Sequence, residues 1–120
     1  MQTLGVMHML LVQDMDRAIN FYESAFGFRV LQKSGFWSNL DCGYGKIALC
    51  TYGNKKELKE TSLIIEVDNH KEAVERINDN GGKVVKIGEP YEGAPVYNVV
   101  LIDTENNQIV ATETVTDANH

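Results

Sequence analysis

Histidine, cysteine and acidic side chains carry most metal and acid–base chemistry, and in this 120-residue chain they are few or scattered. His8 sits inside an apolar run, His70 falls in the first turn of an expected helix where solvent should reach it, and His120 lies in the C-terminal tail. Cys42 and Cys50 are the only cysteines and flank the turn Gly43-Tyr44-Gly45. If that turn closes a hairpin, Cys50 faces a residue near position 38 rather than Cys42, which disfavours a disulfide. Two cysteines without clustered histidines have no zinc-site spacing, and small buried thiols fit a reduced, cytoplasmic setting. No Gly-x-Ser-x-Gly or phosphate loop is present, and neither cysteine has an activating partner evident in the sequence. Glu66 is a carboxylate whose strand parity turns it inward. A lone buried carboxylate can serve as a general base, but more often it bonds to a neighbouring donor or points to solvent. We therefore assign no catalytic residue.

The elements that must position these groups come in two similar sets. Asp14-Met15-Asp16-Arg17-Ala18 leads through Phe21-Tyr22 to Gly27, and Asn69-His70-Lys71-Glu72-Ala73 leads to Gly82, with a constant offset of 55 positions. A duplicated unit explains this. Residues 6–12 form an apolar run of strand length, ended where Asp14 can cap a helix. Met15, Ala18, Ile19, Tyr22 and Phe26 mark one face of that helix, and Gly27 stops it. Strands follow at residues 28–33, 36–41 and 46–52, giving a βαβββ unit.

The polar stretch to residue 61 reads as a linker. Residues 62–67 form a strand, Asn69 with Glu72 resembles a capping box, and a second helix buries Ala73, Val74 and Ile77 before Gly81-Gly82. Strands at 83–87, 96–103 and 108–113 complete a second βαβββ unit, with 114–120 a frayed tail. The expected fold class is α+β: two βαβββ modules with mixed sheets curled around a shared cleft. The whole chain forms one domain, with module one at about 4–53, a linker at about 54–61 and module two at about 62–114.

The net charge of −6 argues against nucleic acid or an anionic membrane surface as a partner, since an acidic surface has no counterions to displace from either. No apolar stretch approaches the ~20 residues that span a bilayer, and the N-terminus has no signal-like pattern.

The segment from Val12 to Ala18 (Val-Gln-Asp-Met-Asp-Arg-Ala), with Phe21-Tyr22 and Phe26-Gly27-Phe28, resembles the first module of the glyoxalase, bleomycin-resistance and extradiol-dioxygenase superfamily. Glu66-Val67-Asp68-Asn69, Gly81-Gly82 and the turn Asp103-Thr104-Glu105-Asn106-Asn107 resemble its second module. The resemblance covers nearly the whole chain and implies the fold above, usually as a homodimer. Its members include isomerases, lyases, dioxygenases and drug-binding proteins, so the scaffold alone does not choose a function.

The resemblance also implies where a metal would sit: one ligand from the first strand and one from the last strand of each module. Those columns align to Met7, Leu49, Ser62 and Val110, where catalytic members carry His, Gln or Glu. Met, Leu and Val supply no hard oxygen or nitrogen donor, so no metal and no other cofactor is expected. His8 is one residue off its column, and a one-residue shift turns a side chain to the opposite face; a bulge is needed to rescue it. Leu11 stands where glyoxalase-type members often carry an Arg that forks a carboxylate.

Strand alternation places Met7, Met9 and Leu11 on one face, with Ile47, Leu49 and Thr51, with Ser62, Ile64 and Glu66, and with Gln108, Val110 and Thr112. A three-residue turn at 43–45 adds Trp37, Asn39 and Asp41, whereas a two-residue turn reverses them. Trp37 is then either a ligand platform or a core or interface aromatic. The expected function is that of a metal-free protein binding a small organic ligand, amphipathic or aromatic, in an apolar cup made by Met7, Met9, Trp37, Asn39, Leu49, Ser62, Glu66 and Val110. The alternative is a metal-dependent lyase, isomerase or dioxygenase resembling lactoylglutathione lyase. Whether the cup closes within one chain or between two is open at this level.

Overall fold

A computed structural model describes residues 1–53 and 56–115. Module one runs β1 (Met7–Leu11), α1 (Met15–Phe26), β2 (Arg29–Gln32), β3 (Trp37–Asp41) and β4 (Lys46–Cys50). Module two runs β5 (Lys59–Glu66), α2 (His70–Asp79), β6 (Lys83–Gly88), β7 (Val96–Ile102) and β8 (Asn107–Thr114). The strand orders are β1-β4-β3-β2 and β5-β8-β7-β6, so the duplication read from the sequence is realised as two sheets of identical order. In each, the first strand runs parallel to the last and the other pairs are antiparallel.

The helix starts follow from their caps. Asp14 and Asn69 both have extended backbones, and their side chains accept from the N–H of Arg17 and Glu72 respectively, each satisfying one of the donors that a helix N-terminus leaves open. Gly27 ends α1 at φ 72°, the left-handed conformation that a Cβ resists. Asn106 takes φ 62° in the terminal turn, a conformation Asn adopts more readily than most residues with a Cβ. β5 begins at Lys59, inside the stretch expected to be linker: Lys59 pairs with Asn107, and the Thr61 hydroxyl donates to the Gln108 carbonyl. These polar residues form strand because their partners in β8, about fifty positions on, are already in place. Of the expected tail, 116–120 lie outside the described residues.

Met15, Ala18, Ile19 and Tyr22 are buried as the stripe requires, and so is Phe21, which the stripe omits. Phe21 faces the second module. A Cβ added to Gly82 would lie 2.7 Å from its ring and 2.8 Å from Ile77 Cγ2, so the absence of a side chain at Gly82 lets the two modules approach. The contact between modules runs mainly through α1 against α2, with the sheets behind the helices.

A polar seam closes one side of that contact. The turn between β7 and β8 lays Glu105 against the start of α1. Its Oε1 accepts from the N–H of Gln13 and Asp14, each at 2.9 Å, and its Oε2 accepts from Arg17 Nε at 2.7 Å. Asn107 Nδ2 donates to the Leu11 carbonyl, and the Tyr22 hydroxyl donates to Asp103. Burial alone disfavours ionised Glu105, but the donors from Arg17, Asp14, Thr104 and Gln13 together outweigh it and hold its pKa below the ordinary value. Asp103 is the reverse: burial is the largest influence and raises its pKa despite its bonds to Tyr22, Asn107 and Glu105. Tyr22 is pushed well up by burial, then by the Asp103 carboxylate.

Candidate functional site

The cleft-side face of the first sheet is set by its register. Met7 pairs with Lys46, Met9 with Ala48 and Leu11 with Cys50, while Asp41, Asn39 and Trp37 pair with the same three β4 residues from the other side. Directly opposed residues point the same way. The face is thus three rows: Met7-Lys46-Asp41-Arg29, Met9-Ala48-Asn39-Gln32 and Leu11-Cys50-Trp37. The opposite parity, His8, Leu10, Ile47, Leu49, Ser38 and Leu40, lies on the helix side.

Leu49 is therefore not in the cup. It is completely buried in the core, in a different row from Met7, and the cleft-facing β4 residues are Lys46, Ala48 and Cys50. The physical reason is the hairpin. Its connection is the four residues 42–45, with Cys42 N–H bonded to the Gly45 carbonyl and Gly43 N–H to Asp41 Oδ1, so Asn39 pairs with Ala48 rather than Leu49. Trp37, Asn39 and Asp41 nonetheless reach the expected face, because the shifts in loop length and β4 parity cancel. The Asp-x-Gly spacing at Asp41 and Gly43, an Asx-turn signal, was the available clue to the longer loop.

On the second sheet Ile64 pairs with Val110 and Glu66 with Thr112, and Val110 pairs in turn with Val100. Ser62, Ile64 and Glu66 are exposed, and Val110 is half-buried. So seven of the eight expected ligand-binding residues fall in two sets, Met7, Met9, Trp37 and Asn39 on one sheet and Ser62, Glu66 and Val110 on the other. A single chain does not enclose the two sets together. Met7, Met9 and Ile64 are 47%, 50% and 58% exposed. Of the seven, Glu66 alone lines either described cavity. One is a groove of about 680 Å³ between the β3–β4 turn, the end of α1, β5 and the start of α2; the other, about 420 Å³, lies at the ends of β5 and β8.

The first sheet carries a fixed polar feature within its apolar face. Trp37 Nε1 donates to Asn39 Oδ1 at 2.8 Å. Asp41 is occupied, accepting from Gly43 N–H and Arg29, and its pKa is lowered by the Gly43 bond first and the Arg29 bond second.

The histidines divide differently from their expected roles. β1 and β4 pair without interruption from Met7 to Leu11, so no bulge turns His8 to the cleft; it stays on the helix side. His70 is not solvated: its side chain is 12% exposed, its Nδ1 lies 2.9 Å from Glu113 Oε1, and its ring stacks on Tyr97 at 3.8 Å. His120 lies outside the described residues. Cys42 and Cys50 are free thiols, exposed and buried respectively.

The superfamily implies a divalent metal in catalytic members, and the residues here do not fit one. The cleft columns offer a thioether at Met7, a hydroxyl at Ser62, hydrocarbon at Val110 and, on β4, Lys46, Ala48 and a buried Cys50. Among the described residues no three His, Cys, Asp or Glu side chains gather closely enough to hold an ion. No reaction step is routed through a metal here. Among the described residues, too, no helix is long and apolar enough to cross a membrane.

Three comparisons place this architecture. The family model of the Glyoxalase/Bleomycin resistance protein/Dioxygenase superfamily matches residues 5–110, and the chain belongs to that superfamily. Lactoylglutathione lyase of Escherichia coli O157:H7 is 30% identical over 115 residues, spanning 84% of this chain and 85% of that protein. Among solved structures, a glyoxalase-related enzyme from Fulvimarina pelagi superposes with a TM-score of 0.75 at 15% identity, covering 95% of this chain and 89% of that one. The fosfomycin resistance protein FosX from Mesorhizobium loti gives 0.73 at 18%, covering 99% and 97%. These structural likenesses establish the fold alone.

Proposed function

We propose that this protein binds a small amphipathic or aromatic molecule without a coordinated metal, holding it between the first sheet of one copy and the second sheet of another. The observation that carries the reading is the chemistry of the metal columns: Met7, Ser62 and Val110 face the cleft, β4 adds Ala48 in place of the expected Leu49, and none of these offers the imidazole or carboxylate an ion needs. Homodimerisation is supported by the half-exposed Met7, Met9 and Ile64, and by the open edges of β1 and β5, each of which pairs with one strand only. Catalysis has no named residue in this reading. The free thiols agree with a reducing, cytoplasmic setting.

The test is elemental analysis after exposure to nickel, cobalt, zinc, iron and manganese, combined with fluorescence titration of the sole tryptophan. Well under one ion per chain, together with saturable Trp37 quenching by planar or amphipathic compounds including bleomycin-type drugs, is the expected result. Trp37→Ala should weaken a hit roughly several-fold or more, the value of an aromatic contact plus its buried area. Sedimentation should give a dimer, and Met9→Arg should shift it towards monomer.

A second reading, a metal-dependent lyase, is favoured by the 30% identity to lactoylglutathione lyase. One tightly bound ion per chain with metal-restored lactoylglutathione lyase activity would establish it and overturn the first.

A further inference from the structure

The Trp37–Asn39 pair dictates which polar group a guest must carry. An indole N–H only donates, so the amide atom facing it at 2.8 Å is the Asn39 oxygen. That bond has two effects. It ties the ring of Trp37 at one edge, leaving the indole without a free donor for a ligand. It also fixes the orientation of the Asn39 amide, whose NH₂ group is turned away from the indole with no partner among the described residues. Among the described residues no buried side-chain nitrogen or oxygen lacks a partner, so this NH₂ is not buried but open to the cleft side.

Among the polar groups near it, Asp41 is already engaged, while Gln32 and Lys46 lie on the same face as exposed side chains. Asp41, two residues along β3, is held by Gly43 and Arg29. On the β4 side Ala48 and Met9 continue the row of Asn39, and Cys50 and Leu11 the row of Trp37, none of which offers a strong donor or acceptor; on the β2 side Asn39 pairs with the exposed Gln32. On this sheet, then, the donor pair whose orientation is fixed by a bond to the aromatic ring is that of Asn39, whereas Gln32 and Lys46 on the same face are exposed side chains without such a bond to Trp37.

We propose that Asn39 is the specificity-determining residue of the cleft, selecting planar molecules that bear a hydrogen-bond acceptor, a ring nitrogen or a carbonyl oxygen, at the edge of the ring that lies against Trp37. This rests on the reading of the cleft as a ligand site. A guest without the acceptor strips water from the Asn39 NH₂ and returns nothing, and a polar group left unpaired on burial costs more than a made bond gains. A guest whose edge carries only donors is rejected for the same reason.

The test uses quinoline and naphthalene, near-identical in shape and differing in one ring nitrogen, at pH 8, where both are uncharged. Binding to the full chain is read by Trp37 fluorescence and by ligand-observed NMR. Quinoline should bind roughly threefold to tenfold more tightly than naphthalene, the range of one neutral hydrogen bond. Asn39→Asp keeps an oxygen for the indole N–H but removes both donors; it should abolish the quinoline preference, leave naphthalene within about twofold and leave the Trp37 emission maximum unchanged. Asn39→Leu gives a second, uncharged variant and should also lose the preference.

If both probes bind saturably but equally well, or the preference survives in both variants, Asn39 is not the selector although the cleft remains a binding site. If neither probe gives a saturable response while other aromatic compounds do, the guest class proposed here is wrong. If no planar compound binds at all, the cleft reading fails and this inference fails with it.

Discussion

The two sides of the α1–α2 contact are related by the duplication, yet one is sealed and the other is open. On the sealed side the β7–β8 turn delivers Glu105 to the N–H groups of Gln13 and Asp14 and to Arg17. On the open side the corresponding β3–β4 turn carries Tyr44, fully exposed, and borders the groove of about 680 Å³. Fifty-five positions after Arg17 stands Glu72, which bonds Arg76 of its own helix at 2.8 Å instead of reaching across. Duplication supplies the same backbone frame twice, but the side chains of the connecting turn decide whether a seam closes. One closed seam suffices to fix the relative position of the modules, and thus of their two cleft faces.

The largest effect should come from removing the seal. Glu105→Ala strands two backbone donors and Arg17 at a site where the carboxylate is wholly buried, and should cost about 3 kcal/mol in denaturant unfolding. Tyr44→Ala on the open side should stay within about 0.5 kcal/mol. Equal losses would mean the asymmetry is not energetic.

Gly82→Ala comes next. Its Cβ meets Phe21 and Ile77 inside 3 Å, and neither ring nor branched chain can withdraw from the helix contact. A loss of about 1–3 kcal/mol is expected, relieved in part by Phe21→Leu in the same background.

The pH dependence sharpens the comparison further. Glu105 has a folded pKa below its unfolded one, so its contribution is present above the ordinary Glu range and is lost as pH falls through the folded value. Asp103, raised by burial, acts oppositely: its share is full at low pH and is lost as pH rises through its folded value. Glu105→Gln should therefore flatten the acid limb of the stability curve near and below pH ~4.5, and Asp103→Asn should steepen it. Unfolding midpoints measured from pH 3 to 7 check both signs.

The smallest effect belongs to the exposed pair. Both Glu72 and Arg76 side chains are about half exposed, and a double-mutant cycle should return about 0.3–0.5 kcal/mol, vanishing in high salt.

The features legible in the amino-acid order are local ones. The caps at Asp14 and Asn69, the stop at Gly27 and the alternation along β1, β5 and β8 depend on residues within a turn or two of one another. Local chemistry was enough to determine them, together with the duplication and with it the α+β architecture.

Three features needed the tertiary structure. The face of β4 depends on the length of the 42–45 connection, and one residue of difference moves Leu49 from the cleft to the core and brings Ala48 forward. Phe21 lies off the main stripe of α1 and is buried only because α2, with Gly82 behind it, packs there. Glu105 and Arg17 are 88 positions apart, and nothing near either names the other. The sequence settled which residues alternate and where helices begin and end, since those follow from short-range sterics and hydrogen bonding. Only the assembled fold decided which side of a strand faces away from the helices and which turn locks the modules, because burial and register are properties of partners that the chain brings together from far away.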